Sequence, residues 1–273
     1  LGLGIGRGDE NAEVLVLQQY LINYGYLSAQ LDGQFGSATE RAVKLFQEAN
    51  GLTADGSAGI ATQTALRNAE NAKYAGADGI LMVTPYYNKC SQNGLAEHYF
   101  TLADKLEKPL IVYNVPSRTG VNISPETYEK LSEHKNIIGV KEADPDMGKL
   151  AKSLELCKEK LTFYVGNDDL ITAAASLGAK GVISVLSNIA PGFTQKMVKS
   201  AIDGKMKESA DMQKNAIKLI ASLFSDVNPI PIKTAMAYLS MCGETMRLPL
   251  SPMTSLLREK LIDEINNSKS ILY

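Results

Sequence analysis

From about residue 67 onward, short β-branched or apolar runs alternate with stretches of helical period, and that alternation leaves few folds open. The runs are 79–83 (GILMV), 110–113 (LIVY), 137–140 (IIGV), 163–165 (FYV) and 181–185 (GVISV). Between them, 94–107, 125–134 and 146–160 carry the helical spacing of apolar residues. Strands that are apolar on both faces and separated by helices build βα units in a parallel sheet. Residues 191–267 then read as almost continuous helix, including 217–224 and 231–242. The expected class is therefore α/β, with five parallel strands followed by a C-terminal helical region.

The first 66 residues obey another rule. Asp32-Gly33-Gln34-Phe35-Gly36-Ser37-Ala38-Thr39 recurs 23 positions on as Asp55-Gly56-Ser57-Ala58-Gly59-Ile60-Ala61-Thr62. Each copy is a turn that feeds a helix: Asp-Gly turns tightly, the second Gly tolerates positive φ, and the Thr can help cap the next helix. Ahead of the repeat, 14–21 (VLVLQQYL) has the pattern of an amphipathic helix ending near 24–26. A small three-helix module over 1–66 is expected, joined to an α/β domain over 67–273.

Composition narrows the functions. Lys plus Arg is 28 against 30 for Asp plus Glu, so no basic face is available for nucleic acid or an anionic membrane. No apolar run approaches the roughly 18 residues that cross a bilayer. Cys90, Cys157 and Cys242 are odd in number and widely spaced, and His98 and His134 are the two histidines. Neither a disulfide framework nor a metal centre is expected from such a set, and the setting it suggests is reducing and cytoplasmic.

In a parallel βα architecture, functional groups gather where strands end and helices begin. The exits in order are Thr84-Pro85-Tyr86-Tyr87-Asn88, then 113–120 (YNVPSRTG), then Lys141-Glu142-Ala143, then Gly166-Asn167-Asp168-Asp169, then 184–188. Lys141 ends an apolar run, where burial disfavours an ammonium. A neutral lysine amine can attack a ketone and form a Schiff base, an electron sink for carbon–carbon chemistry. Tyr113, one βα unit earlier, can shuttle a proton, and Arg118 offers a planar fork to a carboxylate. Singly, each is an ordinary residue: strand-end lysines mostly reach solvent, tyrosines mostly pack, and loop arginines mostly face water. Their succession on neighbouring exits favours the chemical reading.

Two resemblances sharpen these expectations. Residues 11–66, through GYL, LDGQFGSATERAVKLFQEANGL and ADGSAGIATQTAL, resemble the type 1 peptidoglycan-binding domain, which implies peptidoglycan as a partner. Residues of about 67–265 resemble the dihydrodipicolinate synthase and N-acetylneuraminate lyase family of class I aldolases. The motifs are AGADGILMVTPYYNK, YNVPSRTG, GVKEA, GAKGVISV and NPIPIKTAM, and YNVPSRTG points to the synthase branch. That resemblance implies a (β/α)8 barrel, of which the five strands form the later part and the first three βα units are missing. It implies condensation of pyruvate with L-aspartate 4-semialdehyde in lysine and diaminopimelate biosynthesis, with no cofactor beyond the covalent lysine imine. Lys141 would carry the imine, Tyr113 relay protons, and Tyr87 complete the relay in a partner subunit of a homo-oligomer. Arg118 would hold the semialdehyde carboxylate, and Gly166 and Ile183 would line the pyruvate pocket. The family's Gly-Thr-Thr-Gly-Glu motif has no counterpart in 1–66, which implies reduced turnover; the alternative is a wall-binding protein carrying an inactive barrel remnant.

Overall fold

A computed structural model describes residues 4–23, 25–49, 76–106 and 108–272. The chain divides into two compact units, Leu1–Val112 with Arg118–Ile138, and Tyr113–Ser117 with Gly139–Tyr273. Among the described residues, five strands form one sheet in the order of the chain: β1 (Ile80–Val83), β2 (Leu110–Asn114), β3 (Ile137–Glu142), β4 (Thr162–Val165) and β5 (Gly181–Val182). The pairings of β3 with β4 and of β4 with β5 are parallel, with Lys141 beside Tyr164 and Val165 beside Val182. The expected α/β class and parallel pairing are thus present, with each strand adding next to its predecessor.

The first unit begins with a helical pair, α1 (Ala12–Asn23) and α2 (Ser37–Ala49). Asn11 caps α1, its Oδ1 accepting from the amides of Glu13 and Val14. Val14, Leu17 and Leu21 form the buried face of α1 and meet Leu27, Phe35, Ala42 and Val43 in a core of their own. Between the helices, Gly33 turns at a φ of 72°, and Gln34 donates its amide to Asp32 Oδ1 at 2.9 Å. The turn is held from below by buried Gln18. Its Nε2 donates to Asp32 Oδ1, the Gln34 carbonyl and Thr39 Oγ1 at 2.7, 3.0 and 3.1 Å. Its Oε1 accepts from the amides of Asp32 and Gly33. Thr39 therefore differs from the expectation: it is the third residue of α2 rather than its cap, and its hydroxyl serves the Gln18 network. The second copy of the turn motif, and the third helix expected after it, lie outside the described residues.

After β1 comes α3 (Gln92–Leu106), burying Leu95, Ala96, Tyr99, Leu102, Ala103 and Leu106 on one stripe. Near its end, Lys105 Nζ lies 4.1 Å above the Phe46 ring and 5.5 Å from that of Tyr26, so α3 packs against the helical pair. Burial lowers the Lys105 pKa to about 8. The unit closes with α4 (Pro116–Thr119), shared with the second unit, and α5 (Pro125–Leu131), which Ser124 caps through the Thr127 amide.

The second unit carries α6 (Met147–Cys157), α7 (Ile171–Leu177), α8 (Pro191–Ile202), α9 (Met206–Leu223), α10 (Ile230–Tyr238), α11 (Ser255–Asn267) and α12 (Lys269–Leu272). The last five share one apolar core that includes Ala216, Leu219, Ile220, Leu223, Ile232 and Leu261. Two expectations fail here for local reasons. The helix expected over 231–242 stops at Tyr238, because Ser240 adopts a φ of 60° and turns the chain. The Met241 amide then reaches back to the Met236 carbonyl and that of Ser240 to Ala237, the paired bonds that close a helix end. Residues 239–254 are accordingly non-helical. The run 181–185 yields a strand of two residues, because the amides of Val185 and Leu186 turn away to the Asp168 carboxylate.

Replacing Gln18 with Leu leaves the turn amides and Asp32 without their shared partner. The expected cost to the helical pair is about 2 kcal/mol, read as lost hydrogen-exchange protection of the Gly33 amide.

Candidate active site

Alternation along β2 separates two faces. Leu110, Val112 and Asn114 are buried, whereas Ile111 and Tyr113 on the other face are half-buried. On β3 the same alternation puts Lys141 on the half-buried face and Glu142 on the buried one. Lys141 lies within the strand, one residue before its end, rather than after it as the apolar run suggested.

The structure brings Lys141, Tyr113 and Gly166 together. Lys141 Nζ lies 4.2 Å above the centre of the Tyr113 ring, a cation–π distance. Gly166 follows β4, where its amide donates to the Glu142 carbonyl at 2.6 Å. A Cβ at this position would stand 2.8 Å from Ala143 Cβ and 3.2 Å from Lys141 Cε. The absence of a side chain at 166 therefore leaves room for the lysine stem. Ile183 extends the β5 pairing by donating its amide to the Val165 carbonyl at 2.9 Å, so its backbone stands at the neighbouring exit.

Tyr87 and Arg118 belong to the first unit. Tyr87 is 91% exposed at a φ of 68°, a conformation that costs a residue with a side chain on the order of 1 kcal/mol. Arg118 is exposed on α4. Their loops touch: a Cβ on Gly120 would stand 2.9 Å from Lys89 Cε.

Three buried polar residues at these exits carried no assigned role in the sequence reading, although each stands within two residues of one that did. Asn114 follows Tyr113, Glu142 follows Lys141, and Asp168 lies two residues after Gly166. Asp168 Oδ2 accepts from the Val185 and Leu186 amides at 2.9 Å each and so shapes the loop after β5. Burial raises its pKa above the ordinary aspartate value, and neighbouring Asp169 adds to that. A separate open groove of about 480 Å³ runs along β5 and α8, lined by Tyr164, Val182, Thr194 and Val198 among others, without Lys141. Among the described residues, no cluster of three or more His, Cys, Asp or Glu side chains is placed to hold a metal ion. No described helix is long and apolar enough to cross a membrane.

A sequence profile of the dihydrodipicolinate synthetase family matches residues 33–268. The chain belongs to that family. It is thereby a lyase of the class I aldolase type. Among its relatives, a 4-hydroxy-tetrahydrodipicolinate synthase of Alkaliphilus oremlandii is 44% identical over 210 residues, covering 77% of this chain and 72% of the relative. One of Geotalea daltonii is 41% identical over 216 residues, covering 79% and 74%. Among solved structures, the dihydrodipicolinate synthase of Aquifex aeolicus superposes with a TM-score of 0.75 at 30% identity, covering 97% of each chain. That of Thermotoga maritima gives 0.75 at 27% identity, covering 97% of this chain and 98% of its own. The family match begins inside the stretch that resembled a peptidoglycan-binding domain.

Two outcomes are expected from the geometry. Gly166→Ala drives a methyl into Ala143 and the Lys141 stem, so it lowers stability by about 1–3 kcal/mol and displaces the amine from the Tyr113 ring. Thermal unfolding and the variant's structure check this. Asp168 has a folded pKa above its unfolded one, so its contribution to stability declines as pH rises from the ordinary aspartate range through the folded pKa. Asp168→Asn keeps an oxygen for both amides and removes that decline, as urea unfolding across a pH series reads.

Proposed function

We propose that the chain condenses pyruvate with L-aspartate 4-semialdehyde to give 4-hydroxy-tetrahydrodipicolinate, through an imine on Lys141. The carrying observation is the Lys141 amine held against the Tyr113 ring at the exits of adjacent strands, in a chain whose relatives bear the synthase name. The unprotonated amine adds to the pyruvate ketone and water leaves, forming the imine. Loss of a proton from the adjacent methyl gives an enamine, whose carbon attacks the aldehyde and forms the new carbon–carbon bond; the semialdehyde's amine then adds to the imine carbon, closing the ring and expelling the Lys141 amine. Tyr113 relays protons in these steps, and backbone groups at Gly166 and Ile183 line the pyruvate side. Arg118 takes the semialdehyde carboxylate through its guanidinium fork. Tyr87 completes the relay in a second copy of the chain, a reading its exposure and positive φ support, so the working form on this reading is a homo-oligomer. No metal or organic cofactor is invoked, because the imine is the electron sink. A biosynthetic lyase of this kind works in the cytoplasm.

A second reading concerns 1–66. The helical pair has its own apolar core and its own polar hub at Gln18, although it shares a compact unit with β1 and α3 and the family match enters it at residue 33. Its resemblance to wall-binding domains makes peptidoglycan the ligand to test, by co-sedimentation with insoluble cell wall.

Intact mass spectrometry after pyruvate and borohydride tests the main reading. A pyruvate-sized adduct is expected on the wild-type chain and is lost in Lys141→Ala. A folded wild-type sample without the adduct, or a variant that keeps it, overturns the assignment.

A further inference from the structure

Behind Lys141 and Tyr113, on the buried face of the sheet, lies a polar cluster that the condensation chemistry does not use. Glu142 is 3% exposed. Its Oε1 accepts from Asn114 Nδ2 at 2.7 Å and from the Asp144 amide at 2.8 Å. Its Oε2 pairs with Lys149 Nζ of α6 at 3.3 Å, and the same Nζ pairs with Asp144 Oδ2 at 3.1 Å. The backbone is tied at the same level: the Ala143 amide donates to the Asn114 carbonyl at 2.9 Å, and the Gly166 amide to the Glu142 carbonyl at 2.6 Å.

Each member adjoins a residue of the proposed chemistry. Asn114 follows Tyr113, Glu142 follows Lys141, and Gly166 packs against the Lys141 stem. Because successive side chains point to opposite faces, a bond between Asn114 and Glu142 behind the sheet fixes how Tyr113 and Lys141 meet in front of it. A slip of one residue between β2 and β3 would move Lys141 along its strand by roughly 3.3 Å and turn it to the other face. A buried carboxylate without partners would be expelled or neutralised, so Lys149 is what lets Glu142 remain as an acceptor inside.

We propose that Glu142, bonded to Asn114 and ion-paired with Lys149, is a positioning residue that sets the Lys141–Tyr113 geometry. The proposal rests on the Schiff-base reading for its catalytic consequence, though not for its geometric one. Asn114→Ala and Glu142→Ala cut the tie between the strands. Glu142→Gln removes the charge but keeps an oxygen where Asn114 and the Asp144 amide donate.

The test uses the full chain labelled with lysine carrying carbon-13 at the ε position. Lys141 is assigned by the signal lost in Lys141→Arg, and ring shielding by its change in Tyr113→Leu. The wild-type ε resonance is expected to be shielded by the Tyr113 ring, to remain so in Glu142→Gln, and to move to the position of exposed lysines in both alanine variants. In parallel, borohydride trapping of the pyruvate imine is expected to slow by about tenfold or more in the alanine variants and to stay near wild type in Glu142→Gln. Alanine variants that fold, as circular dichroism shows, yet keep the shielded resonance and the trapping rate overturn the proposal. Loss of shielding in Glu142→Gln overturns the hydrogen-bond tie as its basis. A wild type that traps no imine, but whose shielding responds as described, overturns the enzymatic reading and leaves the positioning role standing. If Glu142→Ala does not fold, Asn114→Ala decides the matter, since the Glu142–Lys149 pair stays in place.

Discussion

A carboxylate buried at the end of β3 organises the exits around it. Glu142 would be costly to bury alone, and its partners are drawn from three successive elements: Asn114 on β2, the Asp144 amide after β3, and Lys149 on α6. Because each partner is bound to the same group, the elements cannot slide independently without leaving a buried charge or donor unmatched. Apolar packing supplies most of the driving force for such a sheet, but it is forgiving about register. Directional polar contacts are not. The half-buried face therefore inherits its precision from the buried one, and Lys141 meets the Tyr113 ring because of what happens behind it.

The helical pair applies the same principle with a neutral group. Gln18 satisfies both its oxygen and its nitrogen on the Asp32–Gly33 turn and on Thr39, so the turn is defined by a side chain from the preceding helix rather than by its own sequence alone. Apolar residues on the two helices then close over it. Lys105 extends this pair onto α3 by lying against Phe46 and Tyr26, a contact in which a lysine stem and ammonium both face aromatic carbon.

Much of this was legible in the sequence, and most of the failures share a cause. The runs near 80, 110, 137 and 163 appear as strands because apolar side chains on both faces are written directly into consecutive residues. Lys141, Tyr113 and Gly166 were legible because exits of parallel strands are where chemistry-bearing side chains stand out against apolar neighbours. Asn114, Glu142 and Asp168 were not, since a buried acid or amide looks in sequence like a solvated one until its partners are known. Asp168 also explains why 181–185 reads as a longer strand than it forms: the amides that would continue the ladder are taken by a carboxylate contributed by another exit. Residues 239–254 misled for a different reason. Met and Leu give that stretch the apolar content of a helix, whereas a left-handed Ser240 ends the helix before it.

On the proposed reading, Tyr87 links the loop after β1 to assembly. A non-glycine residue at a φ of 68° and 91% exposed combines backbone strain with an aromatic ring in water, and neither is favourable in a free chain. Both are offset if the ring is buried elsewhere, because an aromatic side chain supplies a large apolar area with few rotatable bonds. Under the proposed reading that burial occurs in a second copy of the chain, so the strained loop after β1 and the lysine on β3 are parts of one device. The lysine's geometry is fixed by its own strands, while on that reading completion of the proposed proton relay depends on assembly.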